Sequence, residues 1–211
     1  KGIASVFMSD GPHGLRKQEG KQDFMGKNES VTATCFPAAC CVASSFDVEV
    51  AEKLGRGLAK NCQAESVDVL LGPGINIKRS PLCGRNFEYF SEDPYLAGSM
   101  GSAYVKALQA EGIGASLKHY VANNQETRRR TSNSKVSERA MREIYLSAFE
   151  KVVKEAKPWT VMASYNKVEG TYLTENRKYL VDILRKEWGF DGMVVSDWAA
   201  VHDRFAGVKG G

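Results

Sequence analysis

One pattern limits what this chain can become: short apolar runs alternate with stretches of helical hydrophobic spacing along its whole length. The runs are Ser5-Val6-Phe7-Met8, Thr32-Ala33-Thr34-Cys35-Phe36, Val67-Asp68-Val69-Leu70-Leu71, Ala115-Ser116-Leu117-Lys118-His119, Thr160-Val161-Met162-Ala163-Ser164-Tyr165 and Met193-Val194-Val195. Each has the length and apolarity of a strand, and the last is expected to be buried on both faces. Between them lie helices with readable starts. Asp47 caps a helix whose Val50, Ala51, Leu54 and Leu58 share one face, and Asp93-Pro94 opens a helix that runs to Gly112. Ser137 caps a third, with Met141, Ile144, Tyr145, Ala148 and Val152 facing inward. Thr174 caps a fourth, which carries Leu180, Ile183 and Leu184 and ends at Gly189.

Strand, loop, helix and strand in repetition imply parallel strands joined by right-handed crossovers. An open doubly wound sheet and a (β/α)8 barrel both fit. The long polar loops, from Ile75 to Asp93 and from Tyr120 to about Val136, follow strands, which is where a barrel builds its site. A closed barrel needs eight strands and about 250 residues. This chain has 211 residues and six predicted strands, and another helix is opening at Asp203-Arg204-Phe205 as it stops. The expected fold class is α/β: a TIM-like barrel of about six βα units, truncated at both ends, with residues 1–211 forming one partial domain.

Composition excludes several roles. The chain is 43% hydrophobic and 26% charged, with a dispersed net charge of +4. Its densest basic cluster, Arg128-Arg129-Arg130, is too short to argue for nucleic acid. No apolar run approaches the roughly 20 residues of a membrane span, and no signal peptide opens the chain, although Lys1 is not an initiator Met. Cys35, Cys40, Cys41, Cys62 and Cys83 are odd in number and lack Cys-x-x-Cys spacing. Buried free thiols in a reducing, cytoplasmic compartment are therefore expected in place of disulfides or zinc. No His/Asp/Glu cluster has metal-ligand spacing, so neither a metal nor a cofactor is expected.

Every predicted strand end but the second leads to polar side chains. Asp10 follows the first, beside His13 and Arg16; Arg85, Asn86 and Glu88 lie in the loop after the third. Lys118 and His119 close the fourth, with Asn123, Asn124, Gln125, Glu126 and Arg129 beyond. Tyr165 and Asn166 close the fifth, and Asp197 follows the sixth with Trp198 beside it. Singly, each has a plain alternative: Asp197 could cap the next helix, Arg85 could pair with Glu88 at the surface, and His13 is read as structural. Together they suit a polyhydroxylated ligand, whose hydroxyls both donate and accept and whose ring faces lie flat on aromatics.

The motifs then resemble a known family. Ser9-Asp10-Gly11-Pro12-His13-Gly14-Leu15-Arg16 resembles the first sugar-binding motif of glycoside hydrolase family 3. Gly72-Pro73-Gly74-Ile75-Asn76-Ile77 with Pro81-Leu82-Cys83-Gly84-Arg85-Asn86-Phe87-Glu88 is similar to its second, and Lys118-His119-Tyr120-Val121-Ala122-Asn123-Asn124-Gln125-Glu126 to a third. Ser164-Tyr165-Asn166 and Val195-Ser196-Asp197-Trp198 complete the set. The resemblance implies a retaining β-glucosidase-type enzyme with a (β/α)8-like first domain. It implies that Asp197 is the nucleophile and that Asp10, Arg85, Lys118 and His119 bind glycone hydroxyls. Arg129 and Tyr165 would lie near the nucleophile, Trp198 would line the same subsite, and Arg16 carries over with them.

Retention also needs a second carboxyl about 5–5.5 Å from the nucleophile. The resemblance implies that it comes from a later domain of the same polypeptide, absent from these residues. A branch of the family that uses a barrel His is disfavoured by Tyr120-Val121-Ala122. The stretch alone is accordingly expected to be poorly active. The expected substrates are short β-glucosides or cello-oligosaccharides attacked at the non-reducing end. A β-xylosidase, an exo-glucanase and a non-catalytic sugar-binding remnant are the alternatives, and the chain leaves a homo-oligomer open.

Overall fold

The computed structural model describes residue 2 and residues 4–20 and 28–211. In chain order these form β1 (Met8–Asp10), α1 (Ala39–Ala43), α2 (Val48–Ala64), β2 (Val69–Leu71), α3 (Pro94–Ala110), β3 (Gly114–Tyr120) and β4 (Asn133–Ser134). There follow α4 (Glu138–Ala140), α5 (Ser147–Ala156), β5 (Thr160–Ala163), β6 (Lys167–Val168), β7 (Thr171–Tyr172), β8 (Met193–Ser196) and α6 (Arg204–Gly210). The main sheet has five strands in the order β1-β2-β3-β5-β8, every pair parallel. It is part of a (β/α)8-type barrel. A small sheet of β4, β6 and β7 is built from the connections after β3 and β5.

Register aligns the strand ends. Asp10 pairs with Leu71, Tyr120 with Ala163, and Ala163 with Ser196. The C-terminal ends of β1, β2, β3, β5 and β8 therefore share one rim, and all residues of β3 are buried at the centre. α2, α3 and α5 cover the outside, contributing Leu58, Met100, Leu108, Phe149 and Val152 to the core. Each such side chain stabilises the fold by about 1.5–3 kcal/mol.

The caps follow their chemistry. Asp47 accepts from Glu49 N at 2.9 Å, and Asp93 accepts from Tyr95 N at 3.0 Å and Leu96 N at 3.2 Å. Ser137 accepts from Ala140 N, and Gly189, at φ 74°, takes the left-handed turn that stops the fourth predicted helix.

The structure corrects several expectations. The first strand lies at Met8–Asp10, later than Ser5–Met8. Thr32–Phe36 is not a strand of the sheet: Phe36 N donates to His13 O at 2.8 Å, so the segment straps the turn after β1. The main sheet thus holds five strands among the described residues. Thr174 does not cap a helix; it lies in a short 3₁₀ turn and its hydroxyl donates to Ala200 O at 3.1 Å, while the helix spans Lys178–Glu187. After α4 the chain makes a π turn over Met141–Tyr145, with Leu146 N bonding back to Met141 O. That extra residue rotates the inward face, burying Leu146 and Phe149 and leaving Ile144 exposed. β8 is not buried on both faces, because its outer edge has no strand partner among the described residues and Met193 is half exposed. Nor are the cysteines uniformly buried: all five are unpaired, but only Cys62 is buried, and Cys35 and Cys41 are exposed.

Candidate active site

The turn after β1 is closed on itself. Arg16 N donates to Asp10 O at 2.9 Å and Gly14 N to Gly11 O at 3.2 Å. A Cβ on Gly11, whose φ is 127°, would meet Gly14 O at 2.2 Å, so only glycine permits this turn. It leaves the Asp10 carboxylate on the rim, where Oδ1 accepts from Lys118 Nζ at 2.9 Å. Burial by itself would raise the Asp10 pKa, but the charge and hydrogen bond of Lys118, with Arg16, outweigh it and hold the carboxyl below its usual range.

At the end of β3 the polar groups interlock. Asn76 grips the backbone of His119 from both sides, accepting from its N–H at 2.7 Å and donating to its carbonyl at 2.9 Å. The imidazole Nε2 lies 2.9 Å from an Arg85 nitrogen and Nδ1 lies 3.0 Å from the Tyr89 hydroxyl. Arg85 is held in turn by its Nε–H bond to Glu88 Oε1. Burial first, then the charges of Arg85, Lys118 and Arg129, push the His119 pKa well below the ordinary imidazole value, so the ring is neutral. Burial also raises the Tyr89 phenol well above its usual value, which keeps its proton in place.

Asp197 sits just past β8, with its N–H bonded to Ala163 O at 3.1 Å and its side chain buried. Its Oδ1 accepts from Trp198 N at 2.8 Å, and Oδ2 lies 3.8 Å from His119 Nε2. With a neutral ring and that spacing, the two are neighbours and not an ion pair. Tyr165 is buried beside them; burial, then the Asp197 carboxylate it faces, push its phenol up to about 12. The Arg129 guanidinium stacks 4.5 Å above the Tyr165 ring and donates to Glu126 at 2.7 Å.

The structure therefore brings Asp10 and Lys118 together, Arg85 to His119, and His119 and Tyr165 to Asp197. Arg129 reaches the group through Tyr165. Arg16 is exposed, lining a cleft of about 560 Å³ with Asp10, Arg85, His13, Phe87 and Glu88. Trp198 is half exposed and follows Asp197 on the rim. Arg85 does pair with Glu88, but within the site, where the Glu88 side chain is only 7% exposed, and not at the surface. His13, read as structural, lines the same cleft, and neither of its ring nitrogens has a hydrogen-bond partner among the described residues. Asn76 and Tyr89 were missed as site residues. Asn76 stands inside the second motif and Tyr89 directly after it, and only the tertiary position of His119 reveals their use. Among the described residues no cluster of three or more His, Cys, Asp or Glu could hold a metal ion, and no helix is long and apolar enough to cross a membrane.

A rim of buried carboxylate, lysine, arginine and histidine at the C-terminal ends of parallel barrel strands defines an enzyme-type barrel domain built for a polar ligand. Residues 14–207 match the sequence profile of the "Glycosyl hydrolase family 3 N terminal domain", and the chain belongs to that family. It is 56% identical over 210 residues to thermostable beta-glucosidase B of Acetivibrio thermocellus, covering 100% of this chain and 28% of that protein. It is 52% identical over 215 residues to an exo-alpha-(1->6)-L-arabinopyranosidase of Bifidobacterium longum, covering 100% of this chain and 28% of the relative. Among solved structures it is similar to beta-glucosidase 3B from Thermotoga neapolitana in complex with glucose, with a TM-score of 0.93 and 46% identity, covering 100% of this chain and 29% of the other. The chain thus spans under a third of the length of these relatives.

Proposed function

We propose that the polypeptide carrying this chain is a retaining β-glucosidase acting on terminal, non-reducing β-D-glucosyl residues of short β-glucosides and cello-oligosaccharides. One observation carries the reading: a buried Asp197 at the end of β8 converges with the Arg85–His119 pair, and the Asp10–Lys118 pair stands on the same rim. In the first step an Asp197 oxygen attacks the anomeric carbon, the glycosidic C–O bond breaks, and an acid protonates the leaving oxygen. In the second, water attacks the same carbon, gives its proton to the conjugate base, and releases the Asp197 carboxylate. Asp10, Lys118 and Arg85 bind glycone hydroxyls, His119 serves the same subsite through its bond to Arg85, and Trp198 offers a ring face. Arg16 lies further along the cleft.

The acid is assigned to a later domain of the same polypeptide. Glu88 and Glu126 are held as hydrogen-bond acceptors by Arg85 and Arg129, the opposite of a proton donor's role. Exposed, unpaired thiols at Cys35 and Cys41 support a reducing, cytoplasmic setting.

The test is made on the natural full-length polypeptide: turnover of an aryl β-glucoside beside Asp197→Asn, with 2-deoxy-2-fluoro-glucoside labelling of Asp197. Activity that falls by roughly 10³-fold or more, with the label on Asp197, is expected. An active Asp197→Asn variant, or a label elsewhere, overturns the assignment. Similarity to an arabinopyranosidase favours one second reading, a pentopyranoside glycone. The aryl α-L-arabinopyranoside, assayed in parallel, decides between them. Asp10 supports glucose, which has a polar arm at the far end of the ring.

A further inference from the structure

We propose that Tyr89 is a positioning residue for His119: its phenol oxygen accepts the Nδ1–H bond while Arg85 donates to Nε2, and together they fix one tautomer with its unprotonated nitrogen toward Asp197. The inference rests on the glycosidase reading only for its consequence in catalysis.

Arg85 decides which ring nitrogen is bare. A guanidinium has donors and no acceptor, so in a 2.9 Å contact the His119 Nε2 must be the acceptor. A neutral ring then carries its proton on Nδ1, 3.0 Å from the Tyr89 oxygen. Glu88 steadies the donor on the other side through Arg85 Nε. Asn76 already holds both backbone groups of His119, so the Tyr89 hydroxyl acts on the ring.

Tyr89 is itself rigidly placed. It is 1% exposed, its ring meets the imidazole edge-on at 6.0 Å and 78°, and it lies against Gly74, where a Cβ would come within 2.9 Å of it. The tautomer has a chemical consequence. With Nε2 protonated, the ring would lose its bond from Arg85 and aim an N–H at Asp197 Oδ2, 3.8 Å away. Such a donor would hold the electron pair that the nucleophile must deliver. The Nδ1–H tautomer leaves that oxygen free of the histidine.

Tyr89→Phe in the natural full-length polypeptide, labelled with ¹⁵N-histidine, is the experiment. In the parent, ¹⁵N shifts of His119, assigned by its loss in His119→Gln, are expected to show a protonated Nδ1 and a bare Nε2. In Tyr89→Phe the single-tautomer pattern is lost and kcat/KM for the aryl β-glucoside falls about tenfold or more, with the unfolding midpoint little changed. A variant that keeps the parent's tautomer and stays within about twofold in kcat/KM overturns the proposal. If Tyr89→Phe does not fold, 3,5-difluorotyrosine at position 89 keeps the ring and hydroxyl but weakens the acceptor, and an unmoved Nδ1 proton resonance is equally fatal. The two readings fail separately. A tautomer that responds in a protein without glycosidase activity removes the function and keeps the positioning role, whereas an active enzyme with an indifferent tautomer does the reverse.

Discussion

Lys118 Nζ lies 2.9 Å from Asp10 Oδ1, joining residues 108 positions apart on β3 and β1 across the intervening β2. The side chains differ in their surroundings: Lys118 is almost fully enclosed, while the Asp10 carboxylate keeps 37% of its surface. The pair therefore clamps the rim and still presents acceptor lone pairs to the cleft. It ties the geometry of the site to the packing of three strands.

Asp10→Asn tests that coupling through pH. The folded-state pKa of Asp10 is lowered, so its contribution to stability is present above the unfolded carboxylate value of about 3.9 and is lost as pH falls through the lower folded value. The variant is expected to be less stable than the parent at pH 7, by about 1 kcal/mol given the exposure of the carboxylate. The difference shrinks as the medium is taken below about pH 4. Denaturant unfolding at neutral and acid pH measures both. A gap that widens on acidification would mean that the folded-state pKa of Asp10 is raised and not lowered.

Gly55→Ala probes the layer behind the site. In an exposed helix the change would stabilise by about 1 kcal/mol. In α2 it would place a Cβ 2.7 Å from Tyr104 O and 3.0 Å from the Ala107 side chain, both on α3. Neither neighbour is the free end of a flexible chain, so the helices must separate, at a cost of about 1–3 kcal/mol. Net destabilisation is expected, read as a lower urea midpoint with an unchanged slope. A raised midpoint would mean that the α2–α3 contact yields more easily than its spacing implies.

Much of this architecture was legible in the chain itself, and the reasons for the exceptions are local. Asp47, Asp93, Ser137 and Gly189 punctuate helices through backbone chemistry that depends on only a few neighbours. Asp10, Lys118, His119, Tyr165 and Asp197 were legible because strand ends in a parallel sheet share a rim. Thr32–Phe36 misled because an extended apolar segment that straps a turn has the same composition as a strand. The π turn at Met141–Tyr145 left no mark in the hydrophobic spacing, and Thr174 found a better partner in Ala200 than a helix end. Tyr89 and Asn76 were invisible for another reason. Their partner, His119, is 30 and 43 residues away in the chain.

Tyr165 faces the proposed nucleophile from β5's side of the rim, packed beneath Arg129. Its phenol, pushed up to about 12, keeps its proton at any pH an assay would use and so presents a donor toward the Asp197 carboxylate. A hydrogen bond to a charged group is worth about 1.5–3 kcal/mol, which corresponds to about 10- to 150-fold in rate where it matters for the transition state. Tyr165→Phe keeps the ring and the cation–π stack and removes only the hydroxyl. In the natural full-length polypeptide it is expected to lower kcat/KM for an aryl β-glucoside within that range, with the unfolding midpoint close to the parent's. Arg129→Gln separates the two roles, because it removes the stacked charge and leaves the hydroxyl. If Tyr165→Phe is fully active while Arg129→Gln is not, the ring serves only as a platform for the guanidinium and the phenol has no part in positioning Asp197.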